Sequence, residues 1–127
     1  MYWEIVKIES SSRVNGVPVA SVGFGRISLN ASACELLDDH KQYNCVQLLK
    51  ARNAGKLCVG IKFFKETVQN SIAIKRRKTK EGKIVGGIDI TNKGAIEGLF
   101  GIAGSANKVS HFDVKKHSDD TLEIILN

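Results

Sequence analysis

Cysteine and histidine are the side chains of this sequence that could hold a metal ion or act as nucleophiles. Cys34, Cys45 and Cys58 are an odd number without C-x-x-C spacing, and the three histidines are scattered along the chain. Structural zinc sites use closely spaced pairs of these residues, and disulfide scaffolds use an even number of cysteines. The pattern predicts free cysteines and no metal site.

Two other runs contain the residue types of a catalytic or phosphate-binding site. Asp38-Asp39-His40 could act as an acid–base group, but it falls where a predicted helix ends, and polar residues there are typical of a solvated terminus. Gly94, Gly98, Gly101 and Gly104 fit no phosphate-loop fingerprint, so the pattern favours close helix packing. We therefore predict a protein without enzymatic activity and without a cofactor.

The basic residues are concentrated in the middle third of the chain. The formal charge is +6, but 12 basic and 2 acidic residues lie between Lys41 and Lys83, and the flanks carry 7 basic and 11 acidic residues. Folding alone does not require this separation, because like charges repel one another. A one-sided basic field attracts polyanions, so we expect a module that binds nucleic acid, with a preference for single strands.

The predicted interface centres on the run from Lys75 to Lys83. A solvated hairpin tip, whose lysines keep an edge strand from pairing, explains the same run without any ligand. Another alternative is a structural or assembly protein, for example of a phage or mobile element, whose basic hairpin contacts an acidic protein surface. The expected phosphate contacts are Lys75, Arg76, Arg77, Lys78, Lys80 and Lys83, helped by Lys50, Arg52, Lys56 and Lys62.

Two aromatic residues of the basic third are expected to stack on bases. Phe63 continues an apolar row, and its neighbour Phe64 therefore points to the opposite face together with Lys62. An open face there would place an aromatic ring beside lysine, which suits a base and its phosphate. A covered face would make Phe64 part of the core. Tyr43 is the second candidate for stacking.

Period-two alternation predicts mainly strands. The first two are expected at Tyr2–Ile8 and Val17–Leu29, the second of them with a bulge or bend at its glycines. A helix should follow from Ala31 to about His40, with Asn30 as its N-cap. The next hairpin has a four-residue turn and pairs Leu48 with Val59.

The second half of the chain repeats this order of elements. Gly25–Asn30 matches Gly86–Thr91 at an offset of 61, and Thr91 or Asn92 is expected to cap the second helix. We therefore predict an α+β fold of eight antiparallel strands and two short helices. It forms one domain, 1–127, in which two ββαββ repeats, 1–66 and 67–127, share a core.

The junction Gly25-Arg26-Ile27-Ser28-Leu29-Asn30, running into Ala33-Cys34-Glu35-Leu36-Leu37, resembles the strand-to-helix junction of the transcriptional positive-cofactor family. The element order from Val46 onward, four strands and then a helix, is similar to one repeat of the Whirly-type proteins. Both groups bind single-stranded DNA. The resemblance implies binding along a curved basic sheet.

The N-terminal residues lack the uninterrupted apolar core of a signal peptide, and no apolar stretch is long enough for a membrane span. We expect a cytoplasmic protein that does not associate with membranes. Sheets of this size with exposed edges often associate through them, so we also expect a homodimer.

Overall fold

The computed structural model of this chain describes residues 2–4, 17–38, 40–78, 81, 84–101 and 107–126. Antiparallel strands dominate the fold and two α-helices accompany them, which confirms the α+β class. The strands are β1 (Val19–Gly23), β2 (Arg26–Leu29), β3 (Cys45–Asn53), β4 (Lys56–Phe64), β5 (Ile72–Ala73), β6 (Lys75–Lys78), β7 (Ile84–Thr91), β8 (Ser110–Ser118) and β9 (Thr121–Ile125), and the helices are α1 (Ala31–Cys34) and α2 (Lys93–Phe100).

All of these strands belong to one sheet that is nearly closed into a barrel. Their order is β5-β3-β4-β9-β8-β1-β2-β7-β6, and every neighbouring pair is antiparallel. The two terminal strands of this order, β5 and β6, are consecutive in the chain. Val46 pairs with Ile72 at one edge, and Lys75 pairs with Asp89 at the other. The single stretch 72–78 therefore joins the two edges.

This closure changes the basis for expecting a homodimer. The expectation assumed exposed sheet edges, whereas 72–78 pairs with β7 and with two residues of β3, Cys45 and Val46. The edge of β3 is therefore covered only in part, since the described register pairs residues 47–53 with β4 alone. The homodimer stays a prediction from the sequence, which light scattering can test.

The segment Val17–Leu29 forms a hairpin, which corrects the prediction of one long bent strand. β1 and β2 pair through Gly23 and Arg26, and Phe24 and Gly25 form the turn with φ of 57° and 69°. Two successive positive φ values are typical of the tight turn whose twist matches that of paired strands. The predicted first strand, Tyr2–Ile8, is not observed in its described part, since Tyr2–Glu4 lie outside any strand, and residues 5–8 lie outside the described residues.

The hairpin of β3 and β4 has a shorter turn than predicted. Ala54 and Gly55 form it with φ of 53° and 81°, and Leu48 pairs with Ile61 rather than with Val59. A two-residue turn moves the register by two positions relative to a four-residue turn. Because side chains alternate with a period of two, the apolar side chains keep their predicted face.

Both predicted helix starts are confirmed, but the first helix is shorter than expected. The Asn30 side chain accepts a hydrogen bond from the Ala33 N–H (2.9 Å), and the Asn92 side chain accepts one from the Ala95 N–H (3.0 Å). α1 ends at Cys34, and a short 3-10 helix follows at His40–Gln42. These side-chain caps satisfy backbone donors that the helix itself leaves unpaired.

Aliphatic side chains from both halves of the chain fill the interior. Ile27, Ile61 and Leu122 are completely buried, and Leu37 and Ile96 add buried side chains from the two helical regions. The core thus lies inside the curved sheet and continues onto the helices. No helix in the described part of the chain combines the length and the apolar character that a membrane crossing requires.

Candidate nucleic-acid interface

Antiparallel pairing sorts the turns of the barrel into two ends. Neighbouring strands run in opposite directions, so the turns Phe24–Gly25 and Ala54–Gly55 lie at the same end, together with the start of α2. The ends of β6 and β7 at Lys78 and Ile84, the Asp119–Asp120 turn and α1 lie at the opposite end. This division decides which charges of the sequence come together.

The first of these ends is strongly basic, and we call it the basic end. The described segments that form it carry six exposed cations, and two carboxylates accompany them: Glu97 in α2 and the exposed Asp113 in β8, which lies one ladder position nearer this end than Lys50. The cations come from two groups that are distant in the sequence, one on the β3–β4 turn and one around the β1–β2 turn. The cations are Lys50, Arg52 and Lys56 in the first group and Arg26, Lys93 and Lys108 in the second.

An exposed aromatic residue lies within the second group. Phe24 is 52% exposed and adopts a φ of 57°, a left-handed conformation that is uncommon for a bulky side chain. A Cβ on Gly25 would lie 3.1 Å from the Lys93 Cβ, and a Cβ on Gly23 would lie 2.5 Å from the Lys108 carbonyl oxygen. The close approach at both glycines brings the backbones of Lys93 and Lys108 against the turn that presents Phe24. Ala54 adopts the same conformation in the β3–β4 turn (φ 53°), so the φ of Phe24 follows from the two-residue turn, and the feature specific to this position is the exposed ring.

Lys62 and Phe64 lie on the outer wall of the barrel, outside the basic end. The Lys62 Nζ lies 5.4 Å from the centre of the Phe64 ring, and both residues are half-buried. Phe64 points away from the core, as its alternation with Phe63 predicts, and its face of the sheet is partly covered, since its register partner Cys45 is buried. The other predicted stacking residue, Tyr43, packs its ring against Phe63 with centroids 5.6 Å apart and adjoins the core.

Most of the predicted basic run lies away from the basic end. Lys75 is exposed two ladder positions from the Arg26–Thr91 pair, and β6 continues from it through Arg77 and Lys78 toward the opposite end. Lys80 and Lys83 lie outside the described residues. The middle third of the sequence therefore does not form one surface, because its two hairpins point to opposite ends of the barrel.

Arg76 is not the exposed phosphate contact that the sequence predicts. It is half-buried, and its Nη2 donates hydrogen bonds to the carbonyl oxygens of Tyr43 (2.6 Å) and Lys41 (3.1 Å). Its register partner is the buried Ile88, so Arg76 faces the interior of the barrel. The guanidinium thus holds the chain that leads into β3.

The cysteines show no sign of nucleophilic or metal chemistry in the part of the chain that the structure describes. Burial raises the pKa of the Cys34 thiol to about 11, although the nearby Arg76 charge lowers it. A neutral thiol is a poor nucleophile. Cys45 is buried, Cys58 is half-exposed, and no three cysteine, histidine or acidic side chains among the described residues cluster as metal ligands do.

Sequence reasoning missed four residues of the basic end: Phe24, Arg26, Lys93 and Lys108. Three of them are cations outside the middle third, where the charge count directed attention away from them. Phe24 carries a usable signal, an aromatic residue between two glycines. Glycine on both sides of a large apolar residue is typical of a turn that exposes that residue.

Comparisons with known proteins add no further constraint. No protein-family model, curated protein or solved structure matches this chain. The resemblance to the positive-cofactor and Whirly-type families stays a prediction. The function is therefore inferred from the charges and geometry of the chain itself.

Proposed function

We propose that this protein is a non-enzymatic nucleic-acid-binding module whose basic end contacts the phosphate backbone. The observation that carries the proposal is the separation of charge, six exposed cations against two carboxylates at a single end of the barrel. The predicted contacts Lys50, Arg52 and Lys56 belong to this surface. Such a concentration of like charge is unfavourable by itself and becomes favourable when a polyanion neutralises it.

Phe24 supports a preference for single strands. A half-exposed ring beside cations can stack on an unpaired base, whereas the bases of a duplex are already stacked on one another. The tight turn holds the ring outward before any ligand arrives, so that little conformational freedom is lost on binding. DNA and RNA single strands share the features that this surface recognises.

Binding at two salt concentrations tests the proposal. We expect the protein to bind a labelled single strand of about 12 nucleotides more tightly than a duplex of equal length. If all six cations contact phosphates, the logarithm of the binding constant falls with that of salt concentration with a slope of about −4. Absence of binding to single or double strands, even at about 0.05 M salt, would overturn the proposal. An assembly protein that contacts an acidic partner would then be the better explanation.

Replacing Phe24 with alanine should weaken single-strand binding about tenfold without changing the salt slope, because stacking releases no counterions. Phe64→Ala is the matched control, since that ring lies on the wall and already has Lys62 over it. Fluorescence anisotropy titrations of both variants measure the effect. A larger loss for Phe64→Ala than for Phe24→Ala would move the stacking surface to the wall.

We further propose that the two halves of the barrel are structural repeats, as the sequence predicts, related by a twofold axis. Such an axis must pass between residues that are one repeat offset apart. Ser28 and Asp89 are 61 positions apart, pair directly, and form a hydrogen bond of 2.7 Å from the Ser28 Oγ to the Asp89 Oδ1. Ile61 and Leu122 have the same separation and also pair directly. The offset predicted from the sequence thus occurs at two of the four places where strands of different halves pair, β2 with β7 and β4 with β9, which supports the repeat.

Exchanging Ser28 and Asp89 tests whether the two positions are equivalent. The double variant S28D/D89S keeps one hydroxyl and one carboxylate across the axis but moves the carboxylate away from Lys75, the other register partner of Asp89, so its free energy of unfolding should fall by about 1 kcal/mol. S28D alone should be less stable than the exchange, because two carboxylates then face each other. Urea unfolding of S28D, D89S and S28D/D89S gives the free energies of the double-mutant cycle. Equal losses for the exchange and for S28D would count against the repeat.

A further inference from the structure

A groove crosses the outer wall of the barrel next to the β3–β4 hairpin. Its volume is about 350 Å³, at the lower end of the range for small-molecule sites. It lies on the face of β3, β4 and β9 that points away from the core. None of the expected site residues except Lys50 lines it. Its lining includes Leu49, Lys50, Ala51, Cys58, Gly60 and Glu123.

The floor of the groove is open because it contains a glycine. A Cβ on Gly60 would lie 3.5 Å from the Leu49 Cβ and 3.7 Å from the Leu122 carbonyl oxygen, so an added methyl group would occupy the floor without a clash. Leu49, Ala51 and Cys58 provide the apolar walls, and Leu49 is 38% exposed. An apolar slot with an uncovered floor suits the face of a planar ring.

One carboxylate lies at the rim of this slot. The Glu123 Oε2 is 3.7 Å from the Lys115 Nζ, and its Oε1 is 3.9 Å from the His117 Nδ1. Both distances exceed those of hydrogen bonds, so Lys115 and His117 lie beside the carboxylate without occupying its acceptor positions. Glu123 is therefore placed to accept hydrogen bonds from a ring that lies on the apolar floor.

Lys50 connects the groove to the basic end. It borders the groove and also belongs to the cations of the β3–β4 hairpin, but its register partner is the buried Val59, so its side chain leaves the sheet on the face opposite to Leu49 and Ala51. The groove thus begins on the same hairpin that carries these cations, and a single strand held there by its phosphates can extend onto the wall. We propose that the groove takes one unpaired nucleobase of the bound strand and that Glu123 makes it selective for guanine. This inference rests on the proposed function, because it concerns the base preference of the same bound strand.

The selectivity follows from the hydrogen-bonding edges of the bases. Guanine presents two adjacent N–H donors, which match the two oxygens of a carboxylate. Cytosine and adenine each present one amino donor beside an acceptor nitrogen that a carboxylate repels. Thymine and uracil present one donor between two carbonyl oxygens. The expected order of affinity is therefore guanine first, cytosine and adenine next, and thymine or uracil last.

The test compares a short oligothymidine with the same oligomer carrying one central guanosine. Wild-type protein should bind the guanosine oligomer about tenfold more tightly, as expected for a two-bond contact to a base. Glu123→Gln should reduce this preference to about twofold, because its amide offers only one acceptor. Asp113→Asn is the matched control: it removes the same charge from an exposed position of β8 and should keep the preference.

The shape of the groove is tested independently with Gly60→Ala. The methyl group narrows the floor without strain and should abolish the preference while leaving the salt slope unchanged. Gly98→Ala is the control, because a Cβ there meets nothing within 4 Å. Bound oligomer should also slow the alkylation of Cys58, the half-exposed cysteine of the groove, while Cys34 and Cys45 stay buried.

The outcomes separate this inference from the proposed function. If both oligomers bind with equal affinity and with the same salt dependence, and Cys58 is alkylated at an unchanged rate, the groove does not bind a base. The proposed function, binding of phosphates at the basic end, then still holds. Binding of neither oligomer overturns both. If the preference for guanosine is unchanged in both Glu123→Gln and Gly60→Ala, a different surface selects the base, and the proposal that the groove binds it is wrong.

Discussion

Replacing Lys50, Arg52 and Lys56 with glutamine should weaken binding to single-stranded DNA about 100-fold at about 0.1 M salt. Each phosphate contact on a single strand contributes about 0.7 to the salt slope, so its loss at that salt concentration costs about fivefold in affinity. The effects of losing three phosphate contacts multiply, and the salt slope should become shallower by about 2. Replacing Arg26, Lys93 and Lys108 should have an effect of similar size, because those residues form the other half of the basic end.

Neither triple variant should unfold the protein. All six side chains are exposed, and the described structure places no ion pair on any of the three cations of the β3–β4 turn. Exposed charges contribute little to stability. Thermal unfolding followed by circular dichroism should therefore give midpoints close to that of the wild type, so that lost affinity reports lost contacts.

The matched control removes an equal charge from β6. Replacing Lys75, Arg77 and Lys78 with glutamine tests the run that the sequence singles out while leaving Arg76 in place. We expect an affinity within about threefold of the wild-type value, because β6 runs from Lys75 away from the basic end and charges beyond contact distance are screened by salt. If the control loses as much affinity as the β3–β4 variant, the interface lies at the predicted hairpin and not at the basic end.

The element types and helix caps could be predicted because their signals are local. Asn30 and Asn92 each precede a helix and bind a backbone N–H three positions later, which short-range spacing indicates. The turns could not be predicted in the same way. Phe24 and Ala54 adopt positive φ, a conformation for which sequence rules expect glycine or asparagine. The sequence therefore suggested a bend and a longer turn.

The location of the interface depended on information that a charge count lacks. The run from Lys41 to Lys83 is basic as a segment, but its hairpins end on opposite sides of the barrel, because neighbouring strands are antiparallel. Lys93 and Lys108 join the surface only through the close approaches at Gly25 and Gly23. The pairing of 72–78 with β3 and with β7 also depends on residues that are distant in the sequence. The short strand pattern of this stretch does not indicate that it contacts both edges of the sheet.

Arg76 leads to the second large expected effect, on stability rather than on binding. Arg76→Ala should lower the free energy of unfolding by about 3 kcal/mol, because the carbonyl oxygens of Tyr43 and Lys41 lose a charged donor. A loss of this size corresponds to a fall in the melting temperature of about 10 °C. Urea and thermal unfolding both measure it.

Lys75→Ala is the control for this variant. It removes the same charge from the neighbouring position of β6. Because Lys75 is exposed, the free energy of unfolding of this variant should differ from that of the wild type by less than about 0.5 kcal/mol. At a temperature where Arg76→Ala is still folded, its salt slope for single-stranded DNA should equal that of the wild type, because the guanidinium faces the protein and not the ligand. If Arg76→Ala is as stable as the wild type and its salt slope is shallower by about 0.7, Arg76 contacts a phosphate, as the sequence predicts.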